Sequence, residues 1–125
     1  MTIITSRDNW PLRYFSPDEV ADTETGEVKL YLPFGQKMDA LRKVYGAPIH
    51  VTSWYRTPDH DRRIGGKGNH TGGWAADVLV SDRYRLLKHA FEMGFYGIGV
   101  HRNFVHLDMN ETYNDAGKRP ACWGY

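Results

Sequence analysis

Cysteine is almost missing from this chain of 125 residues: Cys122 stands alone, so no intramolecular disulfide can staple the fold. Long apolar runs are missing too, and no stretch approaches the roughly 20 residues a membrane span needs. The opening "MTIITSRDNWPLRYF" has no basic segment followed by an apolar one, so a secretory leader is not expected and the protein is expected to be made in a cytoplasm. Charge of one sign is also lacking, because a formal net charge of +1 leaves nothing that calls for nucleic acid. Repeats and low-complexity tracts are absent. What is present is ordinary for a globular protein, with 41% hydrophobic and 25% charged residues. The length suits one domain over residues 1–125, expected to act as a monomer.

Local patterns supply the elements. In "SPDEVAD", Ser16 can cap a short helix, with Pro17 at its first position and Asp18 and Glu19 at its positive end. From Pro33, the spacing of Phe34, Met38, Leu41 and Tyr45 predicts an amphipathic helix, and Gly46 is a natural stop. "PIHVTSWY" and "WAADVLV" read as strands. "SDRYRLLKHAFEMG" reads as a helix capped by Ser81, with a stripe of Tyr84, Leu87 and Phe91 and an end at Gly94. "YGIGV" and "NFVHLDM" read as two strands joined by a tight turn at residues 101–103. The order predicts an α+β domain with a small, mainly antiparallel sheet flanked by helices.

The chemistry centres on "HTGGWAAD", which puts His70 and Asp77 at the ends of a stretch of small residues and one tryptophan. Both are good zinc ligands, and a catalytic zinc usually takes three protein ligands and keeps a fourth position open. His106 is the candidate third, since an imidazole inside the apolar strand "FVHLD" needs a polar partner. Gly72, Gly73, Ala75 and Ala76 would give the chain room to double back between the first two ligands. His89 falls off its helix stripe and reads as solvated, His60 in "TPDHDRR" reads as solvent-facing or capping, and His50 is given no role.

The ordered set "TSWYRTPDHDRRIGG", "GNHTGGWAAD", "GIGVHRNFVHLDM" and "RPACWGY" resembles the zinc D-alanyl-D-alanine carboxypeptidase-like family of peptidoglycan peptidases, in particular its short members. The family pattern falls on Ser53, Tyr55 and Arg56, on Gly65 and Gly66, on His70, Gly73, Ala75 and Asp77, and on Phe104 to Asp108. The resemblance implies the fold shared with lysostaphin-type enzymes and the hedgehog domain. It also implies Zn2+ held by His70, Asp77 and His106, and Arg56 meeting a substrate carboxylate or carbonyl.

Such a site hydrolyses amides, because the ion acidifies water and polarises the scissile carbonyl. Asp108, two residues beyond His106 on the same strand face, is the nominated base; its other possible role is to hold a ligand imidazole in the required tautomer. Family members with a base two or three residues before the last ligand differ from this chain, which has Phe104 and Asn103 there; His101 is the remaining upstream candidate and a possible substrate contact. Arg56 could instead pair with Asp59 or Asp61. The usual serine two before the first ligand is Gly68 here, and Trp123 reads as a packing anchor.

The expected function is zinc-dependent hydrolysis of peptidoglycan stem peptides, as a D-Ala-D-Ala carboxypeptidase or an endopeptidase. A leaderless wall enzyme of this kind suggests a phage or prophage origin, with access to the wall as an endolysin or virion component. The competing expectation is a zinc-containing binding or structural module of a phage particle that has lost hydrolysis.

Overall fold

The computed structural model describes residues 2–125. A two-stranded antiparallel pair joins β1 (Ile3–Ile4) to β2 (Leu30–Tyr31). The main sheet has five strands: β3 (His50–Ser53), β4 (Ala75–Leu79), β5 (Gly97–Val100), β6 (Val105–Asp108) and β7 (Ala121–Gly124). Their order is β3-β4-β6-β5-β7, and every neighbouring pair is antiparallel except β5 with β7. The α+β architecture expected from the sequence is the one observed.

Five helices surround this sheet: α1 (Pro17–Val20), α2 (Leu32–Tyr45), α3 (Pro58–Arg63), α4 (Arg83–Met93) and α5 (Glu111–Asp115). Helix α1 starts with a full capping box, in which the Ser16 hydroxyl accepts from the Glu19 N–H and the Glu19 carboxylate accepts from the Ser16 N–H. Helix α2 buries Phe34, Met38, Leu41 and Tyr45, the predicted stripe, and ends at Gly46 with φ +75°.

Helix α4 departs from expectation. Its cap is Asp82, whose carboxylate accepts from the Arg85 N–H, rather than Ser81. Its buried face is Leu86 and Ala90, while Tyr84 and Phe91 are exposed. The segment carries enough apolar residues for two stripes, and the one that meets α2 and the sheet is set by the packing, not by the larger rings. Several short elements lie outside the predicted ones, among them α3 in "TPDHDRR", α5, and the strand β7 in the tail.

The sheet is two-faced. Ala76 and Val78 of β4, Val105 and Leu107 of β6 and Ile98 of β5 point into the core with α2 and α4 residues and the fully buried Trp54. The alternate positions, Asp77, His106, Asp108, Gly97 and Gly99, therefore share the opposite face. The register sets Asp77 against His106 and His106 against Gly99, with Ala75 against Asp108 and Asp108 against Gly97. The candidate ligands on two strands are thus direct cross-strand neighbours on one face.

Candidate metal centre

His70 comes to this face from a 3-10 turn, Asn69–Gly72, bounded by Gly68 and Gly73, both with positive φ. The small residues after His70 do more than give the chain room to turn. A Cβ on Gly73 would lie 2.4 Å from the Lys29 carbonyl oxygen, and one on Gly72 would lie 2.2 Å from the Trp74 ring. The turn is therefore pressed against β2 on one side and the indole on the other. Trp54 Nε1 donates to the Gly73 carbonyl at 3.2 Å and secures the turn from the core.

The imidazoles and carboxylate converge. One atom each from His70, Asp77 and His106 lies within 4.8 Å of the others, and all three residues are buried. His106 Nδ1 is 2.9 Å from Asp77 Oδ1, and His70 Nε2 is 3.4 Å from Asp77 Oδ2. Ligands at 2.0–2.1 Å in a tetrahedral shell are about 3.3 Å apart; each imidazole meets a different Asp77 oxygen near that range, and one atom from each residue fits within 4.8 Å, a cluster small enough to gather on a single ion. The donor chemistry suits it as well. His70 Nδ1 lies 2.8 Å from the Trp54 carbonyl oxygen, which can only accept, so Nδ1 carries the proton and Nε2 presents its lone pair. The pattern is reversed at His106: Nε2 lies 2.8 Å from Asp108 Oδ2 and 2.9 Å from the Asn69 amide nitrogen, and because the carboxylate can only accept while the amide has that same carboxylate as an acceptor at 3.1 Å, the proton sits on Nε2 and Nδ1 is left for the site.

Burial alone would raise the pKa of Asp77, but hydrogen bonds from His106 and His70 outweigh it and hold the carboxyl below the usual range. At His106 burial opposes the charged form, yet Asp108 and Asp77 push its pKa up overall. The Asp77 and Asp108 carboxylates and the Trp54 carbonyl are thus the acceptors around the two imidazoles.

Asp108 is fully buried, and its oxygens are filled. Oδ1 accepts from Arg119 Nε at 3.1 Å and the Asn110 N–H at 3.3 Å. Oδ2 accepts from Arg119 Nη2 at 2.9 Å, Asn69 Nδ2 at 3.1 Å and His106 Nε2. It meets the edge of the His106 ring opposite to the atom facing Asp77. Asn69 and Arg119 are residues that sequence reasoning missed. Asn69 adjoins His70, and its Oδ1 accepts from Asn110 Nδ2 at 2.9 Å, which orients the amide; Arg119 opens the "RPACWGY" motif and could have been found there.

Arg56 is committed to neighbours. Nε donates to Ser53 Oγ at 3.0 Å, Nη1 to Asp61 Oδ1 at 2.9 Å and Nη2 to Asp77 Oδ2 at 3.4 Å. The pairing with Asp61 is formed, that with Asp59 is not; Asp59 pairs with Arg62 and Arg63. Arg56 nonetheless lines the cavity over the metal centre together with Lys67, Asn69, Phe104 and Tyr125. His101 stacks on Phe104 at 4.4 Å and meets Tyr125 edge-on at 5.0 Å, so it backs two residues of the cavity wall. Trp123 packs on the His106 ring at 5.5 Å and on the Arg119 guanidinium at 4.7 Å, the anchoring role expected of it.

His60 differs from the solvent-facing reading. It is buried, with Nδ1 2.8 Å from Asp22 Oδ2. Asp22 also accepts from the N–H groups of Glu24, Thr25 and Thr57, tying the 22–27 turn to α3 behind the cavity. A capping contact to this helix exists, but Thr57 supplies it, accepting from the His60 N–H.

A search of the curated proteins finds no match to this sequence. The profile of the family described as Peptidase M15 matches residues 14–108, a span that contains Arg56, His70, Asp77, His106 and Asp108. With more than half of the chain matched and a His-Asp-His cluster built on one sheet face, the protein belongs to the Peptidase M15 family.

Proposed function

We propose that this protein is a zinc-dependent peptidase that hydrolyses the stem peptides of bacterial peptidoglycan. The observation that carries this reading is the convergence of His70, Asp77 and His106, with each imidazole held in the tautomer that offers its lone pair to one point. Family membership supports the peptidase class. His70, Asp77 and His106 would hold the ion, which when bound would supply Lewis acidity toward water and the scissile carbonyl.

The remaining roles fall to the chain. Arg56 keeps donors beyond the three it spends on Ser53, Asp61 and Asp77, and its permanent charge suits a substrate carbonyl or terminal carboxylate. His101 Nδ1 accepts from the Asn103 N–H at 3.0 Å, which makes Nε2 the protonated nitrogen. His101 does not line the cavity, so in this reading it acts through Phe104 and Tyr125, the wall residues it supports. Asp108 enters as the group that orients His106, the second of the two roles the sequence left open, because five donors occupy its oxygens. Action on the wall after phage-mediated release belongs to the same reading and rests on the resemblance of the motifs.

One observation favours a second reading, a metal-holding binding module without hydrolysis. Among the described residues lining the cavity, Asp77 is the sole carboxylate, and it is a ligand. Hydrolysis of purified peptidoglycan and of a synthetic stem peptide ending in D-Ala-D-Ala, with products read by mass spectrometry, decides between them. A defined cut by zinc-loaded protein, lost on chelation and in His70→Ala, is the expected result. Stoichiometric zinc without any cut would establish the binding module instead.

A further inference from the structure

A second basin of about 410 Å³ lies on the other side of the turn that carries His70. Lys67 lines both this basin and the metal cavity, and so forms the crest between them. The wall beneath the crest is a hydrogen-bonded pair: Asn69, facing the metal cavity, accepts from Asn110, facing the basin, at 2.9 Å. A chain lying across the metal cavity can therefore continue over Lys67 into the basin.

The basin is cationic. Lys29 and Lys67 line it, no carboxylate does, and neither ammonium forms an ion pair among the described residues. Lys29 is held in place, with Nζ donating to the Thr71 carbonyl at 3.3 Å, and keeps two N–H groups for another acceptor. Tyr113, a further wall residue, anchors the crest by donating to the Lys67 carbonyl at 3.4 Å. Trp74 also lines the basin. Its indole N–H is buried with no acceptor, the one such side-chain group among the described residues, although its ring is fixed edge-on against Tyr31 at 5.7 Å. Two ammonium groups without ion pairs around one basin that no carboxylate lines describe a site short of an anionic acceptor, with the Trp74 ring in its wall.

We infer that this basin is a subsite for a free carboxylate of the peptide substrate, set off from the scissile bond, and that Lys29 and Lys67 are its specificity-determining residues. The inference rests on the proposed peptidase reading for the substrate class, since stem peptides carry free carboxylates along their length. Recognition of such a group across the crest would favour peptides with a negative charge at one position over the same peptides amidated there.

The test uses zinc-loaded full chain and two pentapeptides, L-Ala-γ-D-Glu-L-Lys-D-Ala-D-Ala and its form amidated at the glutamate α-carboxylate. Binding is followed through the Trp74 indole N–H resonance, and cleavage through kcat and KM, for wild type, Lys29→Gln, Lys67→Gln and the double variant. The expected result is a shift of the Trp74 resonance by the acidic peptide and a KM lower by roughly three- to tenfold than for the amidated one, a ratio that collapses toward one in the double variant. Single variants with native circular dichroism and full zinc content should lose part of the ratio each. Cleavage of both peptides with equal KM and an unmoved Trp74 resonance would overturn the subsite while leaving the peptidase reading intact. A carboxylate-dependent Trp74 shift without cleavage would uphold the subsite and overturn hydrolysis; neither binding nor cleavage would overturn both.

Discussion

Arg119 and Asp108 form a two-point ion pair behind the metal centre, Nε to Oδ1 at 3.1 Å and Nη2 to Oδ2 at 2.9 Å, in which the carboxylate is fully buried and also receives His106 Nε2. The guanidinium is itself packed between Tyr113 at 5.0 Å and Trp123 at 4.7 Å. Burial would raise the Asp108 pKa, but hydrogen bonds from His106 and Arg119 hold it below the ordinary carboxylate range. The charged, two-point geometry makes Asp108 a fixed acceptor for one nitrogen of His106.

Substituting Asp108→Asn should therefore weaken metal binding by about 10- to 100-fold, the usual cost of losing an outer partner of a ligand imidazole. Arg119→Lys, which keeps the charge and loses the fork, should fall between wild type and Asp108→Asn. Competition with a chelator of known affinity measures this, alongside circular dichroism. Unchanged affinity in both variants would mean that the pair serves packing alone.

Each of the three donors should be needed for the ion. His70→Ala, Asp77→Ala and His106→Ala are expected to lose stoichiometric zinc, whereas His89→Ala, on the outer face of α4 near Glu92, should retain it. Zinc content after dialysis gives the answer directly, and retention by His106→Ala would remove it from the ligand set.

Gly97→Ala tests the back of the site without touching a ligand. Gly97 faces Asp108 across the strand pair, and an added Cβ would lie 2.2 Å from Asp108 Oδ2 and 2.7 Å from Arg119 Nε. Both groups are immobilised, so the methyl should displace the ion pair and cost about 1–3 kcal/mol of stability. Zinc affinity should fall with it. Chemical unfolding and the same chelator competition would show both; a neutral Gly97→Ala would mean the pair has slack.

Asp22 provides the pH-dependent case. Burial raises its pKa, but the Thr57 N–H, His60 and the N–H groups of Thr25 and Glu24 together hold it well below the ordinary range in the folded protein. A depressed folded pKa gives stability that is present above the unfolded value of about 3.9 and is lost as pH falls toward the folded value. Asp22→Ala leaves four donors without their acceptor, of which the His60 ring is buried and three N–H groups are partly buried, and should cost about 1–3 kcal/mol at pH 7. The gap from wild type should narrow in urea unfolding at pH 3; a gap that stays constant between pH 7 and pH 3 would contradict the ionised role.

Much of this protein was legible because its local signals agree with its tertiary needs. The α2 stripe, the Gly46 and Gly94 ends and the strands around Asp77 and His106 follow from period and spacing. Alternation along β6 already put His106 and Asp108 on one face. Other features depended on contacts between distant segments. Which stripe of α4 is buried was chosen by α2 and the sheet, so Leu86 and Ala90 went inside while Tyr84 stayed out. Burial of His60 required Asp22, 38 residues away, and the role of Asp108 required Arg119 and Asn69, which only the pairing of β5 with β7 and the fold of the His70 turn bring beside it. The sequence by itself offered His70, Asp77 and His106 as candidate donors, through residue type and the family resemblance of their motifs. The tertiary structure alone decided which nitrogen of each imidazole faces the site and which carboxylate lies behind it, because hydrogen-bond partners are a property of three-dimensional neighbours.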